Sequence, residues 1–218
     1  ARQDTATVKA TLASPLTVQL DGPSGELTAL EGSIDIAHPS LPMKSVRLPV
    51  KGSARADLKA QTAALDLDTR LDDSHILLKL AATRLQPLAL TFDVDIDQLN
   101  LDRYRPPAAA GDAARPAAGN PDDTPVDLSA LRDINASGSV RIGALQLAGV
   151  KMTKMTLNVK ASNGKLEVSP YSAALYQGAA SGALSLNADG NRIALKQTLS
   201  DIDVHPLIRD AAGKDLLE

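Results

Sequence analysis

Apolar and polar residues alternate along most of the chain. In "LALTFDVDIDQLN", residues 88–100, Leu88, Leu90, Phe92, Val94 and Ile96 take every second position, while Ala89, Thr91, Asp93, Asp95 and Asp97 fill the gaps. A period of two is the mark of a strand with one apolar and one hydrated face. The same pattern runs through Val8, Ala10 and Leu12; Leu16, Val18 and Leu20; and Leu30, Gly32, Ile34 and Ile36. It continues through Val46, Leu48 and Val50, then Leu65, Leu67 and Leu71, then Ile76, Leu78 and Leu80. "DGPSG" and "DDS" punctuate these runs as turns, whereas "HPSLPMKS" is irregular.

Residues 105–125, "RPPAAAGDAARPAAGNPDDTP", contain nothing large enough to bury and are expected to form a disordered Ala/Pro/Gly linker. As a flexible coil such a segment spans roughly 25 Å. It divides the chain into a β segment at 1–104 and a second at 126–218, which is either a sheet of its own or a continuation of the first. In the second segment Ile134, Ala136, Gly138, Val140 and Ile142 share one parity, as do Met155, Leu157, Val159 and Ala161. The latter run ends at Asn163 and Gly164, the strongest short hairpin signal in the chain, from which Leu166 and Val168 return. Ala180, Gly182, Leu184, Leu186 and Ala188 lead to a second candidate hairpin at Asp189 and Gly190, followed by Ile193, Leu195 and Leu199.

Helical signals are few. "DLSALRD" reads as one or two turns capped by Asp127, with Leu128 and Leu131 facing inward. A second short helix starts around Pro206 and stops at Gly213. The fold expected is therefore all-β, mainly antiparallel, with two or three short helices. So little helix cannot cover this many amphipathic strands. Either two sheets cover each other as paired β sandwiches, or one curved, twisted sheet leaves an open apolar groove.

Composition adds to that choice. The apolar residues are almost all Ala, Leu, Val and Ile; the only rings are Phe92, Tyr104, Tyr171 and Tyr176, and there is no Trp. Sandwich cores usually rest on large aromatic rings. A curved sheet whose inside is filled by something other than protein instead suits a continuous aliphatic wall with few rings and no buried charge. The residues expected to line it are Leu65, Leu67, Ile76, Leu78, Leu80, Leu90, Phe92, Val94, Ile96, Val140, Ile142, Leu157, Val159, Leu166, Val168, Leu184, Leu186, Ile193 and Leu195.

The net charge of −3, with acids and bases interspersed, gives no footprint for nucleic acid. The absence of cysteine removes disulfides, thiolate metal sites and thiol nucleophiles. No apolar run is long enough to span a membrane, and no signal peptide opens the chain, which begins at Ala1 and is read as a piece of a longer protein.

Candidate chemistry is sparse, and no enzyme, catalytic residue, metal or cofactor is expected. Asp93, Asp95 and Asp97 could approach a cation, but no glycine-bearing loop or downstream glutamate completes an ion site, so a solvated face is the expectation. His38, His75 and His205 lack metal-ligand spacing. In "DRYR", Arg103 and Arg105 could offer donors to a phosphate; packing of Tyr104 under the sheet end, with the arginines in water, is the stronger reading. Tyr171 and Tyr176 could sit at a groove rim or fill a sandwich corner.

Read in order, several pieces resemble the carboxy-terminal region of the AsmA family. They are "GSARADLKAQTAALDLDTRLDDSHILLKL", "DIDQLNLDRY", the Pro/Ala gap, "VDLSALRDINASGSVRIGALQLAGVKMTKMTLNVKASNGKLEVSPYSAALYQGAASGALSLNA" and "TLSDIDVHPLIRDAAGKDLLE". The likeness covers roughly residues 46–217, and its specificity lies in the order of the pieces. It implies a protein similar to bridge-like lipid transfer proteins, anchored in the inner membrane by a helix outside this stretch. Such a protein carries phospholipid or another acyl-chain lipid along a periplasmic β groove and supports outer-membrane biogenesis. The rival reading is a non-catalytic β-sandwich scaffold or protein-interaction module of the cell envelope.

Overall fold

The computed structural model describes residues 7–37, 45–104 and 128–212. The expected linker, His38, most of "HPSLPMKS", Arg105, the Asp127 cap and the Gly213 stop lie outside them. Twelve strands form one sheet: β1 (Thr7–Ala13), β2 (Leu16–Gln19), β3 (Ser24–Ala37), β4 (Ser45–Asp57), β5 (Thr62–Leu71), β6 (Ser74–Leu85), β7 (Leu88–Asn100), β8 (Ala136–Leu147), β9 (Val150–Ser162), β10 (Lys165–Leu175), β11 (Gly178–Asn187) and β12 (Arg192–Ser200). Both β1 and β2 pair with β3, so the twelve strands occupy eleven positions, in order β1-β3-β4-β5-β6-β7-β8-β9-β10-β11-β12.

From β2 onward neighbours in the chain are neighbours in the sheet, and the pairings are antiparallel except one. Strands β7 and β8 run parallel, Leu90 opposite Ala136 and Ile96 opposite Ile142. Parallel strands need a long crossover, and residues 101–135 between these two supply the length. This junction makes the segments either side of residues 105–125 one continuous sheet. At the β9–β10 hairpin Asn163 and Gly164 both take positive φ, 51° and 73°, as its two-residue turn requires. The Asp189–Gly190 signal also marks a connection, a looser one between Asn187 and Arg192. Ala148 and Gly149 make the same two-residue turn as Asn163 and Gly164, at φ 53° and 77°, without Asn to announce it.

Helix is scarcer than expected among the described residues. One α-helix, α1 (Val204–Ala212), follows β12, and single 3₁₀ turns occur at Leu101–Tyr104 and Ser129–Arg132. Leu128 and Leu131 are half-buried there, and the Leu131 N–H closes the turn on the Leu128 carbonyl at 3.0 Å.

Strands make their substantial contacts with ladder neighbours alone, and the helical pieces touch only sheet ends and strands β8, β9 and β10. The paired sandwiches considered from the sequence are thus not formed: all described strands lie in a single open sheet. Alternation cannot tell these cases apart, because it records that a strand has two unlike faces and not what lies against either. Burial follows the single layer. The buried apolar residues are Leu30, Val50, Ala82, Ile142, Leu145, Ala161, Ala173 and Ala180, and no large side chain among the described residues is wholly enclosed.

The apolar face of the sheet

In directly paired strands, opposed residues share a face. Followed from ladder to ladder, the register sets Leu16, Leu27, Ala54, Leu65, Leu80, Phe92, Gly138, Val159, Val168, Leu184 and Leu195 side by side from one edge to the other. The next row is Val18, Gly25, Ala56, Ala63, Ala82, Leu90, Ala136, Ala161, Leu166, Leu186 and Ile193. On the other side of the first row stand Leu67, Leu78, Val94, Val140, Leu157 and Tyr171, then Thr69, Ile76, Ile96, Ile142 and Met155. No residue of these rows is charged. Ten interstrand steps of about 4.8 Å make the face roughly 48 Å across.

Every groove-lining residue expected from the sequence falls in these rows, on this one face. The expectation omitted the contribution of β2 to β4, which add Leu16, Leu27 and Ala54 to the first row. It also omitted Leu99, Leu145 and Met152, which break the period of two. Asp97 and Gln98, Gly143 and Ala144, and Thr153 and Lys154 are successive exposed pairs in β7, β8 and β9, after which the inward phase resumes one residue late. The slips coincide, so the strands stay in register and Leu99, Leu145 and Met152 line up beside one another. Similar slips at Thr28 and Ala29, at Thr83 and Arg84, and at Ser169 and Pro170 shift the register of β3, β6 and β10. Bulges of this kind re-aim side chains without ending a strand.

The face is low as well as apolar. The Phe92 ring lies over Gly138, where an added Cβ would stand 2.6 Å from the ring and 2.0 Å from the Phe92 carbonyl oxygen. Tyr171 lies in the same way over Gly182, its Oη 2.7 Å from such a Cβ. Across β2 to β7, where Ala54, Ala56, Ala63 and Ala82 replace larger side chains, there is a hollow of about 650 Å³ edged by Leu16, Leu27, Leu65, Leu80 and Leu90.

The opposite face is polar and internally matched. Arg141 of β8 reaches back across the parallel junction, its Nε 3.0 Å from Asp95 and its Nη2 against Asp93, which also accepts from the Ser139 hydroxyl at 3.0 Å. Hydrogen bonds to Asp95 and Asp93 hold the Arg141 guanidinium still more firmly protonated. Asp97 accepts the His75 N–H at 2.8 Å, and His75 Nε2 lies 2.7 Å from Asp68. Asp93 and Asp95 therefore accept across the junction and Asp97 toward β6, rather than the three converging on one point. His205 lies far along the chain on α1, its N–H donating to Asp203 at 3.2 Å.

One end of the strands is closed by polar clusters. Arg103 pairs with Asp73 at 2.8 Å, and half-buried Tyr104 donates to Asp72, so Tyr104 packs at the sheet end as expected. Burial first, then that hydrogen bond, pushes the Tyr104 phenol up to about 12. Tyr176 neither lies on the apolar face nor fills a corner between sheets. It is held at φ 45°, its hydroxyl donating to Asp210 of α1 at 3.0 Å and accepting the Lys151 N–H at 3.2 Å. The Tyr176 hydrogen bond, then the Lys151 charge, hold the Asp210 carboxyl below its usual range. Burial, then Asp210, raise the Tyr176 phenol.

The arrangement defines a class: an open, single-sheet β protein with one uncharged face that no other described element covers. Comparison of the chain with protein-family models, with curated proteins and with solved structures finds no match. No described helix is long and apolar enough to cross a membrane.

Proposed function

We propose that this chain is a non-enzymatic, AsmA-like periplasmic segment that holds phospholipid acyl chains along its apolar face and conducts them between inner and outer membranes. The observation that carries the reading is the uncharged apolar face, continuous across every strand position and covered by no other described element. Water is a poor neighbour for so much hydrocarbon, and lipid chains match it without requiring directional contacts. About sixteen methylenes at about 0.8 kcal/mol each amount to roughly 13 kcal/mol against release into water. Between two membranes most of that term cancels, so chains can slide without chemistry. Curvature of the sheet into a groove, the inner-membrane anchor in the full-length protein and a role in outer-membrane biogenesis belong to the same proposal, and rest on the family resemblance.

The scaffold reading is favoured by one observation, the two unpaired edges. Val8, Leu12, Leu16 and Val18 at one edge, and Ile193, Leu195 and Leu199 at the other, are exposed and could pair with a partner's strand. Mass spectrometry of protein purified without detergent separates the two. Stoichiometric phospholipid is the expected result; a folded protein repeatedly free of lipid would favour the scaffold.

A further inference from the structure

Beside the polar cluster at the Tyr104 end of the sheet lies a second cavity, of about 320 Å³. Leu99, Leu145 and Met152, in register across β7, β8 and β9, give it an apolar side, and Leu145 is only 6% exposed. Arg103 and Asp73 stand at its polar side. We propose that this cavity is a headgroup site for a zwitterionic amphiphile, a phosphate ester bearing a primary amine, whose chain continues onto the apolar face. The proposal rests on the reading of that face as an acyl-chain wall.

Charge balance is the argument. Arg103 meets Asp73 through one terminal nitrogen, and both side chains are more than half exposed, at 51% and 71%. Among the described residues its remaining donors meet no other side chain, and a guanidinium can hold a phosphate through two of them at once. A phosphate placed against Arg103 would draw it from Asp73, leaving a carboxylate that an ammonium group can satisfy. A singly anionic headgroup supplies no such cation and meets the carboxylates of Asp72 and Asp73 unrelieved. The apolar side admits the first methylenes of the chain, which a small soluble phosphate ester lacks.

Calorimetric titration of the whole chain tests this with lysophosphatidylethanolamine and lysophosphatidylglycerol of one saturated chain, kept below their micelle concentrations. Free phosphoethanolamine is the third ligand. The ethanolamine lipid is expected to bind about fivefold tighter than the glycerol lipid, as one additional solvent-exposed ion pair allows. Asp73→Asn should erase that ratio, and Arg103→Gln should weaken both lipids several-fold. Neither substitution should change binding of cis-parinaric acid, which reports the apolar wall alone. Equal binding of the two lipids, or a ratio that survives both substitutions, overturns the headgroup site while parinaric acid binding leaves the wall standing. Free phosphoethanolamine binding as tightly as its lipid would also overturn it, by making the ligand soluble. Failure of both lipids and parinaric acid to bind a folded chain removes the wall and the site together.

Discussion

Val94 stands half-buried between Leu78 and Val140, in the middle of the uncharged face. A carboxylate placed there meets lipid when the face is occupied but retains access to water, because no second layer of described residues covers it. Val94→Asp should therefore cost only about 1–3 kcal/mol of stability, read by urea denaturation, while the co-purified lipid falls several-fold. Unfolding of the variant, with wild type free of lipid, would count against the lipid reading. Glycines give a sharper contrast. Gly138→Ala drives a Cβ to 2.0 Å from the Phe92 carbonyl and into its ring, and should lose about 1–3 kcal/mol. Gly25→Ala meets only the Thr17 carbonyl at 3.7 Å, an ordinary contact, and should leave the urea midpoint nearly unchanged. Neither difference was legible in the sequence, where Gly138 is one small residue of an alternating run and Gly25 closes the "DGPSG" turn.

Helix α1 illustrates the element scale. Its docking runs through Asp210 to Tyr176 and Lys151, and through the Asp203 N–H to the Tyr176 carbonyl at 2.8 Å. Because the folded carboxyl of Asp210 titrates below its unfolded value, the stability it lends is complete above about pH 4 and is lost as pH falls further. NMR signals of the Tyr176 ring should hold steady from neutral pH to that point and then change as α1 loosens. Asp210→Ala should show the loosened signals at neutral pH and lack the acid step. The sequence placed this helix within a few residues, from Pro206 and the apolar spacing behind it. It gave no sign that the turn beneath would be Tyr176 and Gln177, both at positive φ, since neither is a residue that favours such a turn. Distant partners on α1 and β9 hold Tyr176 there.

At the scale of the whole sheet, the described residues form a single layer that leaves its apolar face exposed. A dye that reports accessible apolar surface should bind strongly to native, lipid-stripped protein and be displaced by phospholipid. A closed sandwich would bind none. Amide exchange should be slowest in β5 to β8, paired on both sides, and fastest in β1, β2 and β12, which form the edges.

Alternation by itself determined which residues are strands and which side of each is apolar, because a period of two is a local property of extended backbone. Thus Leu90, Phe92, Val94 and Ile96 could be placed on one face from their spacing alone. The Asn163–Gly164 turn was equally local. What covers that face was a different matter. A sandwich and an open sheet require the same pattern, and only long-range pairing decided between them, when β7 and β8 joined in parallel across residues 101–135. The same pairing brought Arg141 to Asp93 and Asp95, far apart in sequence. Leu99, Leu145 and Met152 likewise returned to the apolar side only through bulges that three adjacent strands share. Such bulges answer to the register of neighbours rather than to any one strand, and so leave no mark in a single run of residues.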